Sequence, residues 1–255
     1  MSENTAELEA NKMSENPVIQ KIFEKAIKNQ EPFLGYEESR RVLAEIGIPF
    51  NKTKLVTSED EAVKVAEEFG FPVVFKVVSP DISHKTEIGG VKVGIQNPEE
   101  ARAAYKSIME SVKKHKPNAR IEGIMVEEQV SGSELFVGVT KDPQFGHMIG
   151  FGMGGIFVEV YKDVTFRLIP IGVSDAYEML QEIRGKKIYE GYRGRPKADP
   201  KELVKVLLSV SQFIENYPMV KEMDINPLMV TFDGIKAIDA RIILDLEYAE
   251  KNKKD

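Results

Sequence analysis

The segment 225–242 near the C-terminus, INPLMVTFDGIKAIDARI, spaces polar side chains in a way that suits a metal ion. Apolar stretches flank Asp233 and Gly234, which is the pattern of a β-hairpin with a two-residue turn. Such a turn sets the register of its two strands. This register predicts that Asn226 lies diagonal to Asp239, about 7–8 Å away between backbones.

Asp224 precedes Asn226 by two positions, so the two residues share one face of a strand. Carboxylate and amide oxygens are ligands that Mg²⁺ accepts together with phosphates and waters. The hairpin therefore indicates a magnesium site of Asn226, Asp239 and Asp224. A solvated hairpin face explains the same residues equally well.

Lys76 lies within the apolar run 72–78, where a buried ammonium is costly unless it meets an anion. A phosphate would satisfy it, and a lysine on an edge strand that reaches water is the alternative. The loop that follows adds Lys85, Gly89 and Gly90. Glycine permits close approach to phosphate oxygens and lysine supplies charge, although the spacing matches neither the dinucleotide-binding nor the P-loop motif.

The chain has three histidines, and they differ in their surroundings. His115 falls at the end of a predicted helix and His147 in a strand-like run, so we expect a solvated and a packed side chain respectively. His84 stands in the polar loop beside Lys85, where an imidazole can act on a phosphoryl group. The loop by itself favours an ordinary histidine there.

Four glycines fall within the six residues 150–155, GFGMGG, so the backbone turns sharply there or approaches a ligand closely. Glu159, Asp163 and Arg167 follow at four-residue steps, which fits a charged wall of a site or an ordinary wet surface. The basic loop 192–196, YRGRP, suits an anion or water.

The positions of these groups depend on elements that the apolar periodicity predicts. A docking helix begins at Pro17, and a second helix ends before Gly47. Strand and helix signals then alternate, which favours an α/β (α+β) fold. Several antiparallel strands, two helices and the hairpin follow. We expect an N-terminal extension and docking helix in residues 1–32, a first lobe in 33–126 and a second lobe in 127–255.

Composition excludes several classes. The 255 residues include no cysteine, which removes disulfide, thiolate and iron–sulfur chemistry. A net charge of −6 argues against a dedicated nucleic-acid binder. No apolar run reaches the roughly 18 residues that a membrane span needs, and the polar N-terminus is unlike a signal peptide. We expect a soluble cytoplasmic protein with no membrane partner.

Four ordered blocks carry a resemblance to a known family. They are FPVVFKVVSPDISHKTEIGGVKVGI, MVEEQVSGSELFVGVTKDPQFG, GFGMGGIFVEVYKDVTFRLIP, and EMDINPLMV with AIDARI. In them the chain resembles the β subunits of ADP-forming acetyl-CoA synthetases (acetate–CoA ligases), ATP-grasp modules of the NDP-forming acyl-CoA synthetase family. The resemblance implies an ATP-grasp fold of two lobes with ATP or ADP bound between them.

The same resemblance implies roles for individual residues. Lys76 would contact the nucleotide phosphates, Glu127 to Val130 the adenine, and Glu134 the ribose. Asn226 and Asp239 match the Mg²⁺ positions. The implied nucleotide-contacting set is Lys76, Lys85, Gly89, Gly90, Glu127, Glu128, Val130, Glu134, Gly154 and Gly155. The implied catalytic pair is His84 and Arg167, and Asp224 is a third metal candidate.

The implied reaction is acyl-CoA + ADP + phosphate ⇌ acid + ATP + CoA, with His84 accepting or relaying the phosphoryl group. The chain lacks a recognisable CoA-binding segment and phosphohistidine domain, so the resemblance implies a separate α subunit that carries both, in an α2β2 assembly. Two alternatives are a stand-alone ATP-grasp carboxylate ligase and a nucleotide-sensing regulatory subunit.

Overall fold

A computed structural model of the chain describes residues 16–82, 85–155 and 162–251. The chain forms two compact units. The smaller unit is Asn51–Val130, and the larger unit comprises the residues up to Phe50 and from Ser131 onward. No helix within the described ranges is long and apolar enough to cross a membrane.

This division differs from the expected lobes 33–126 and 127–255. Residues 33–50 belong to the larger unit, because Leu34 N–H donates to Ile242 O over 3.1 Å and Phe33 bridges Ile243. The residues just after 126 complete a strand of the smaller unit, in which Glu127 pairs with Thr53. Long-range strand pairing therefore assigns both segments.

The smaller unit is a four-stranded antiparallel sheet with two helices on one face. Its elements are β1 (Thr53–Val56), α3 (Glu59–Phe69), β2 (Val73–Val78), β3 (Val91–Ile95), α4 (Pro98–His115) and β4 (Gly123–Glu128). The strand order is β1-β4-β2-β3. The Ser58 side chain caps α3 by accepting from Glu61 N–H, and the Asn97 side chain caps α4 by accepting from Glu100 N–H. Alternate residues of β2 are buried with both helices, so Lys76 lies on the opposite sheet face.

The larger unit begins with α1 (Pro17–Lys28) and α2 (Tyr36–Glu45). After the smaller unit the chain returns as β5 (Ser133–Asp142), β6 (Gly146–Met153), β7 (Val164–Leu168), α5 (Val173–Glu182), α6 (Pro200–Asn216), β8 (Val220–Thr231), β9 (Gly234–Ala237), β10 (Ala240–Leu244) and α7 (Leu246–Lys251). Two short 3₁₀ turns, Arg184–Ile188 and Tyr192–Gly194, lie between α5 and α6. The antiparallel sheet has the order β10-β8-β5-β6-β7, with β9 on β8.

Helices cover one face of this sheet and form its core. Val137, Ile149 and Ile225 from the strands are fully buried in the same cluster as residues of α1, α5 and α6. The predicted docking helix is confirmed as α1, whose Phe23 ring lies 6.3 Å from that of Phe213 and 5.4 Å from that of Tyr217. Burial of this apolar stripe stabilises a helix that would be marginal alone.

The terminal hairpin is present, but its predicted register is wrong. Thr231 pairs with Gly234, so Phe232 and Asp233 form the turn in place of Asp233 and Gly234. Thr231 Oγ1 accepts from Asp233 N–H (3.1 Å) and donates to Gly234 O (2.9 Å), which closes this turn, while Phe232 is 80% exposed. The partner of each residue therefore shifts by two positions, and Asn226 lies opposite Asp239 and not diagonal to it.

Candidate functional site

Asn226 and Asp239 are held side by side in the larger unit. Strand β8 pairs with β10 over one part of its length and with β9 over the other. Between these two parts, Asn226 N–H donates to Asp239 O over 3.2 Å. Asn226 is half-buried and Asp239 is exposed. One carboxylate oxygen of Asp239 also accepts from Ala240 N–H at 2.8 Å. Directly opposed residues point to the same sheet face, so an amide and a carboxylate oxygen are brought together.

Asp224 lies on that same face, opposite Arg241. The Arg241 Nε atom is 3.9 Å from its Oδ2 atom. Burial raises the pKa of the Asp224 carboxyl, Arg241 opposes the shift, and the charges of Asp239 and Glu222 add to it. Asp224 thus lies within electrostatic reach of Asp239, but it already has a cationic neighbour.

The glycine-rich segment after β6 contacts Asn226. Gly155 N–H donates to Asn226 Oδ1 at 2.9 Å, and Gly154 N–H donates to Glu134 O at 2.8 Å. Gly155 has φ +60°, and a Cβ atom there would lie 1.8 Å from Glu134 Oε2. Glycine suits this position because its φ is positive, and a larger residue would displace the end of the Glu134 side chain. The structure therefore brings together Glu134, Gly154, Gly155 and Asn226 as predicted site residues.

The oxygens of this group fit a divalent cation. An amide oxygen has two lone pairs, so Asn226 Oδ1 can accept from Gly155 and also face a cation. In the described part of the chain, no three His, Cys, Asp or Glu side chains cluster as a metal site by themselves. A pair of protein oxygens completed by phosphates and waters is the arrangement that Mg²⁺ prefers.

In the smaller unit, Lys76 and Glu127 form an ion pair. Lys76 Nζ lies 2.8 Å from Glu127 Oε2, and the two side chains are 33% and 4% exposed. Because β2 lies between β4 and β3, the interpretation of Lys76 as an edge-strand lysine is wrong. The ammonium instead pairs with the buried Glu127 carboxylate, and this ion pair offsets the cost of burying either charge alone.

The loop after β2 returns beside Lys76. Gly90 N–H donates to Lys85 O at 2.7 Å, and Gly90 O accepts from Val77 N–H at 2.8 Å. Val91, the next residue, pairs with Lys76. The structure therefore places Lys85, Gly89 and Gly90 against the strand that carries Lys76. His84, the candidate phosphoryl acceptor, lies outside the described residues.

Glu128 and Val130 lie at the end of β4 and beyond it. Glu128 Oε2 accepts from Lys52 N–H at 3.1 Å, and Glu128 O accepts from Asn51 Nδ2 at 3.2 Å. Val130 is half-buried and is the last residue of the smaller unit. These contacts tie the segment 127–130 to the start of β1.

Arg167 is not brought to the Asn226–Asp239 pair. Arg167 on β7 pairs in register with Ile149, whose side chain points into the helix-covered core. Its guanidinium contacts Glu182 of α5 at 3.1 Å through Nη1 and lies 3.6 Å from Glu178. Hydrogen bonds with Glu182 raise the pKa of Arg167 and lower that of Glu182. The predicted role of Arg167 at the phosphates is not supported by this placement.

Sequence reasoning missed two groups. Glu127 was not identified as the partner of Lys76, because only the pairing of β2 with β4 places the two side chains together. Arg40 was also missed, although a basic residue on the apolar side of a predicted helix is a usable signal. Arg40 is 8% exposed and donates to Ile238 O, next to Asp239.

Comparisons with known proteins identify relatives over most of the chain. The ATP-grasp domain family matches residues 25–244. The β subunit of the ADP-forming acetate–CoA ligase I of Pyrococcus furiosus is 42% identical over 224 residues, which cover 88% of this chain and 96% of that protein.

Solved structures agree with this match. The dinucleotide-forming acetyl-coenzyme A synthetase 1 of Ca. Korarchaeum cryptofilum, in complex with coenzyme A, Ca-AMPCP and HgCl⁺, is similar with a TM-score of 0.78 and 42% identity, over 88% of this chain and 99% of that chain. Another structure of that protein, with coenzyme A and Mg-AMPPCP, has its phosphohistidine segment pointing towards the nucleotide binding site; its TM-score is 0.75 at 36% identity, over 89% of this chain and 99% of that chain. The predicted fold class is confirmed.

Proposed function

The chain belongs to the ATP-grasp domain family and, within it, to the β subunits of ADP-forming acetate–CoA ligases, and from this membership we propose that it is the nucleotide-binding subunit of an acyl-CoA synthetase. The reaction is acyl-CoA + ADP + phosphate ⇌ acid + ATP + CoA. The single observation that carries the proposal is the opposed pair Asn226 and Asp239, with Gly155 bonded to the amide oxygen.

The larger unit holds the metal in this proposal. Asn226 and Asp239 bind Mg²⁺, and Asp224 is a more distant third candidate. When bound, Mg²⁺ neutralises charge on the phosphate oxygens during transfer. Gly155 N–H fixes the orientation of the Asn226 amide, and Glu134 accepts hydrogen bonds from the ribose hydroxyls.

The smaller unit supplies positive charge and contacts for the base. Lys76 exchanges the Glu127 carboxylate for the nucleotide phosphates, since its ammonium can rotate on a flexible stem. Glu127 is then able to accept from the adenine amino group, and Glu128 and Val130 line the base. Lys85, Gly89 and Gly90 border the phosphates from the loop beside β2.

His84 carries or relays the phosphoryl group in this proposal. The P–O bond to the γ-phosphorus of ATP breaks as a P–N bond to an imidazole forms, and ADP leaves. The return step makes ATP from a phosphohistidine. A separate α subunit supplies the CoA-binding and phosphohistidine domains, and we propose an α2β2 assembly. The match to a β-subunit relative over 96% of that protein supports the separate α subunit.

The experiment is incubation of the 255-residue chain with Mg²⁺ and γ-labelled ATP, alone and with the α subunit. Wild type is compared with His84→Ala and His84→Asn, and acid-labile, base-stable label is counted on each chain. We expect label on the α subunit only when wild-type chain is present. Label that is independent of His84 would remove that residue from the relay.

The same experiment separates the other functions. With acetate added, acetyl phosphate formed by the chain without an α subunit would replace the proposal with a stand-alone carboxylate ligase. Tight ATP binding with no transfer under any combination would replace it with a nucleotide-sensing subunit. The α2β2 stoichiometry is measured independently, by light scattering of the reconstituted complex.

A further inference from the structure

Two residues of α2 converge on the backbone that carries Asp239. The Tyr36 hydroxyl donates to Ile238 O at 3.4 Å, and Arg40 Nη1 donates to the same oxygen at 3.3 Å. Arg40 Nη1 also donates to the Tyr36 hydroxyl at 3.0 Å. Since Tyr36 and Arg40 are one helical turn apart, both reach the carbonyl that directly precedes Asp239.

Aromatic rings hold the Arg40 guanidinium in place. Its Cζ atom lies 4.5 Å from the ring centre of Phe50 and 5.3 Å from that of Tyr36. With only 8% of the residue exposed, Arg40 is a buried cation held by ring faces and by hydrogen bonds. Burial of a guanidinium costs desolvation energy, which its hydrogen bonds and ring contacts offset. These partners therefore hold the Arg40 guanidinium in one position.

Other backbone hydrogen bonds also restrain the chain around Ile238. Ile238 N–H donates to Pro227 O at 3.1 Å, and Ala237 N–H donates to Pro49 O at 2.7 Å. The two residues Ile238 and Asp239 lie between β9 and β10, outside both strands. Ladder hydrogen bonds of those strands therefore do not restrain the Ile238 carbonyl, and α2 supplies its donors.

We propose that Tyr36 and Arg40 are positioning residues for the divalent-cation site, because they fix the 238–239 backbone and with it the Asp239 carboxylate. The inference rests on the proposed function, since it assumes that Asp239 binds the metal. It assigns to α2, which precedes the smaller unit in the chain, a part in metal binding by the larger unit. Neither side chain touches the metal itself; groups that orient a metal ligand typically change affinity by about 10–100-fold when removed.

The test measures Mn²⁺ affinity of the full chain with ADP by water proton relaxation, at a temperature well below the Tm of every variant. We expect Arg40→Gln to raise the Kd for Mn²⁺ by about 10-fold or more. Tyr36→Phe, which loses one donor, should raise it by roughly 3-fold. Arg40→Lys keeps the charge without the planar fork and should restore only part of the affinity.

Arg41→Gln is the matched control, because Arg41 is the next residue of α2 and is exposed. It should leave the Kd unchanged. A purely structural Arg40 would lower the Tm of the metal-free chain without changing the Mn²⁺ Kd, and that result would overturn the proposal. Should Arg40→Gln not fold, Tyr36→Phe and Arg40→Lys give the same readout.

Asp239→Asn distinguishes this inference from the proposed function. If Asp239→Asn loses Mn²⁺ binding while the Arg40 and Tyr36 variants bind normally, only the positioning role is rejected. If Asp239→Asn binds Mn²⁺ as wild type does, the metal site and the positioning role are both rejected.

Discussion

The smaller and the larger unit prepare their candidate groups in different ways. In the smaller unit, Lys76 is paired with the buried carboxylate of Glu127. In the proposed function a phosphate replaces that partner. In the larger unit, backbone hydrogen bonds across neighbouring segments set Asn226 and Asp239 side by side. The proposal thus makes the charge of the smaller unit exchangeable, whereas the oxygens of the larger unit are positioned by hydrogen bonds within the chain. Variants can break each arrangement separately.

The largest effect is expected at the pair of Asn226 and Asp239. Asp239→Asn removes the carboxylate charge while keeping its shape, and should lower kcat/KM of the reconstituted enzyme about 1,000-fold, or ~4 kcal/mol. Steady-state assays at several Mg²⁺ concentrations measure this loss. Asp233→Asn, in the exposed turn of the same hairpin, should retain wild-type activity. Comparable losses in both variants would point to general damage of the hairpin.

The second largest effect is expected at the ion pair of Lys76 and Glu127. Lys76→Met leaves Glu127 buried without its cation and should lower the free energy of unfolding by about 3 kcal/mol. The double variant Lys76→Met with Glu127→Gln should recover most of this stability without recovering nucleotide affinity. Urea unfolding and ADP titration report the two quantities. Recovery of affinity in the double variant would show that Lys76 does not serve the phosphates.

A smaller effect is expected at Gly155, which donates to Asn226. Gly155→Ala, at φ +60°, places a Cβ atom 1.8 Å from Glu134 Oε2, the end of a flexible side chain that has to move aside; it should cost about 1 kcal/mol of stability and weaken Mg²⁺ binding. The control is Gly146→Ala, at φ +83° with no atom within 4 Å of the added Cβ. It should cost about 1 kcal/mol and leave Mg²⁺ binding intact. Thermal melting with and without Mg²⁺ separates the two.

Histidine titration tests a part of the larger unit that the proposed metal site does not use. Burial lowers the pKa of His147, whose Nε2 lies 2.7 Å from Val220 O; that hydrogen bond and Asp245 oppose the shift, and Lys141 adds to it. The unfolded chain then binds a proton more readily, so this stabilisation is complete above about pH 6.5 and is lost as the pH falls below that value.

His147→Gln should therefore flatten the fall in Tm between about pH 6.5 and pH 5. His115→Gln is the control, because His115 is exposed at the end of α4, where its Nδ1 lies 2.8 Å from Ser111 O. An unchanged Tm profile in His147→Gln would assign the acid sensitivity to other groups.

The smallest effect is expected at Arg167. Because it faces α5 and pairs with Glu182 and Glu178, Arg167→Met should change kcat/KM by less than about 3-fold and cost at most about 1 kcal/mol of stability. Glu182→Gln should have a similarly small effect. A large loss of kcat in Arg167→Met alone would return this residue to the phosphate site.

Much of the fold could be predicted locally. Helix α1 begins at Pro17 as predicted; the side chains of Asn16, Ser58 and Asn97 cap α1, α3 and α4, and the strands coincide with the β-branched runs. The division into units could not be predicted in the same way, because residues 33–50 are assigned by hydrogen bonds to strands that lie about 200 positions later. Local patterns carry no information about such a distant partner.

The same distinction between local and long-range information applies to the candidate site. The sequence by itself determined which residues are candidates for chemistry: the lysine in the apolar run, the glycine segment, and the Asn and Asp of the hairpin. The predicted register of the hairpin was wrong by two positions. A shift of two positions keeps each side chain on the same face of the sheet, so Asn226 and Asp239 still lie on one face.

Only the tertiary structure decided which groups meet. It set Asn226 opposite Asp239, gave Lys76 the partner Glu127, and turned Arg167 to the helix-covered face. Residue types follow from local sequence, since propensity, capping and alternation act over a few positions. Partners follow from the register between distant strands, which the turn closure at Thr231 and the packing of the whole sheet select together.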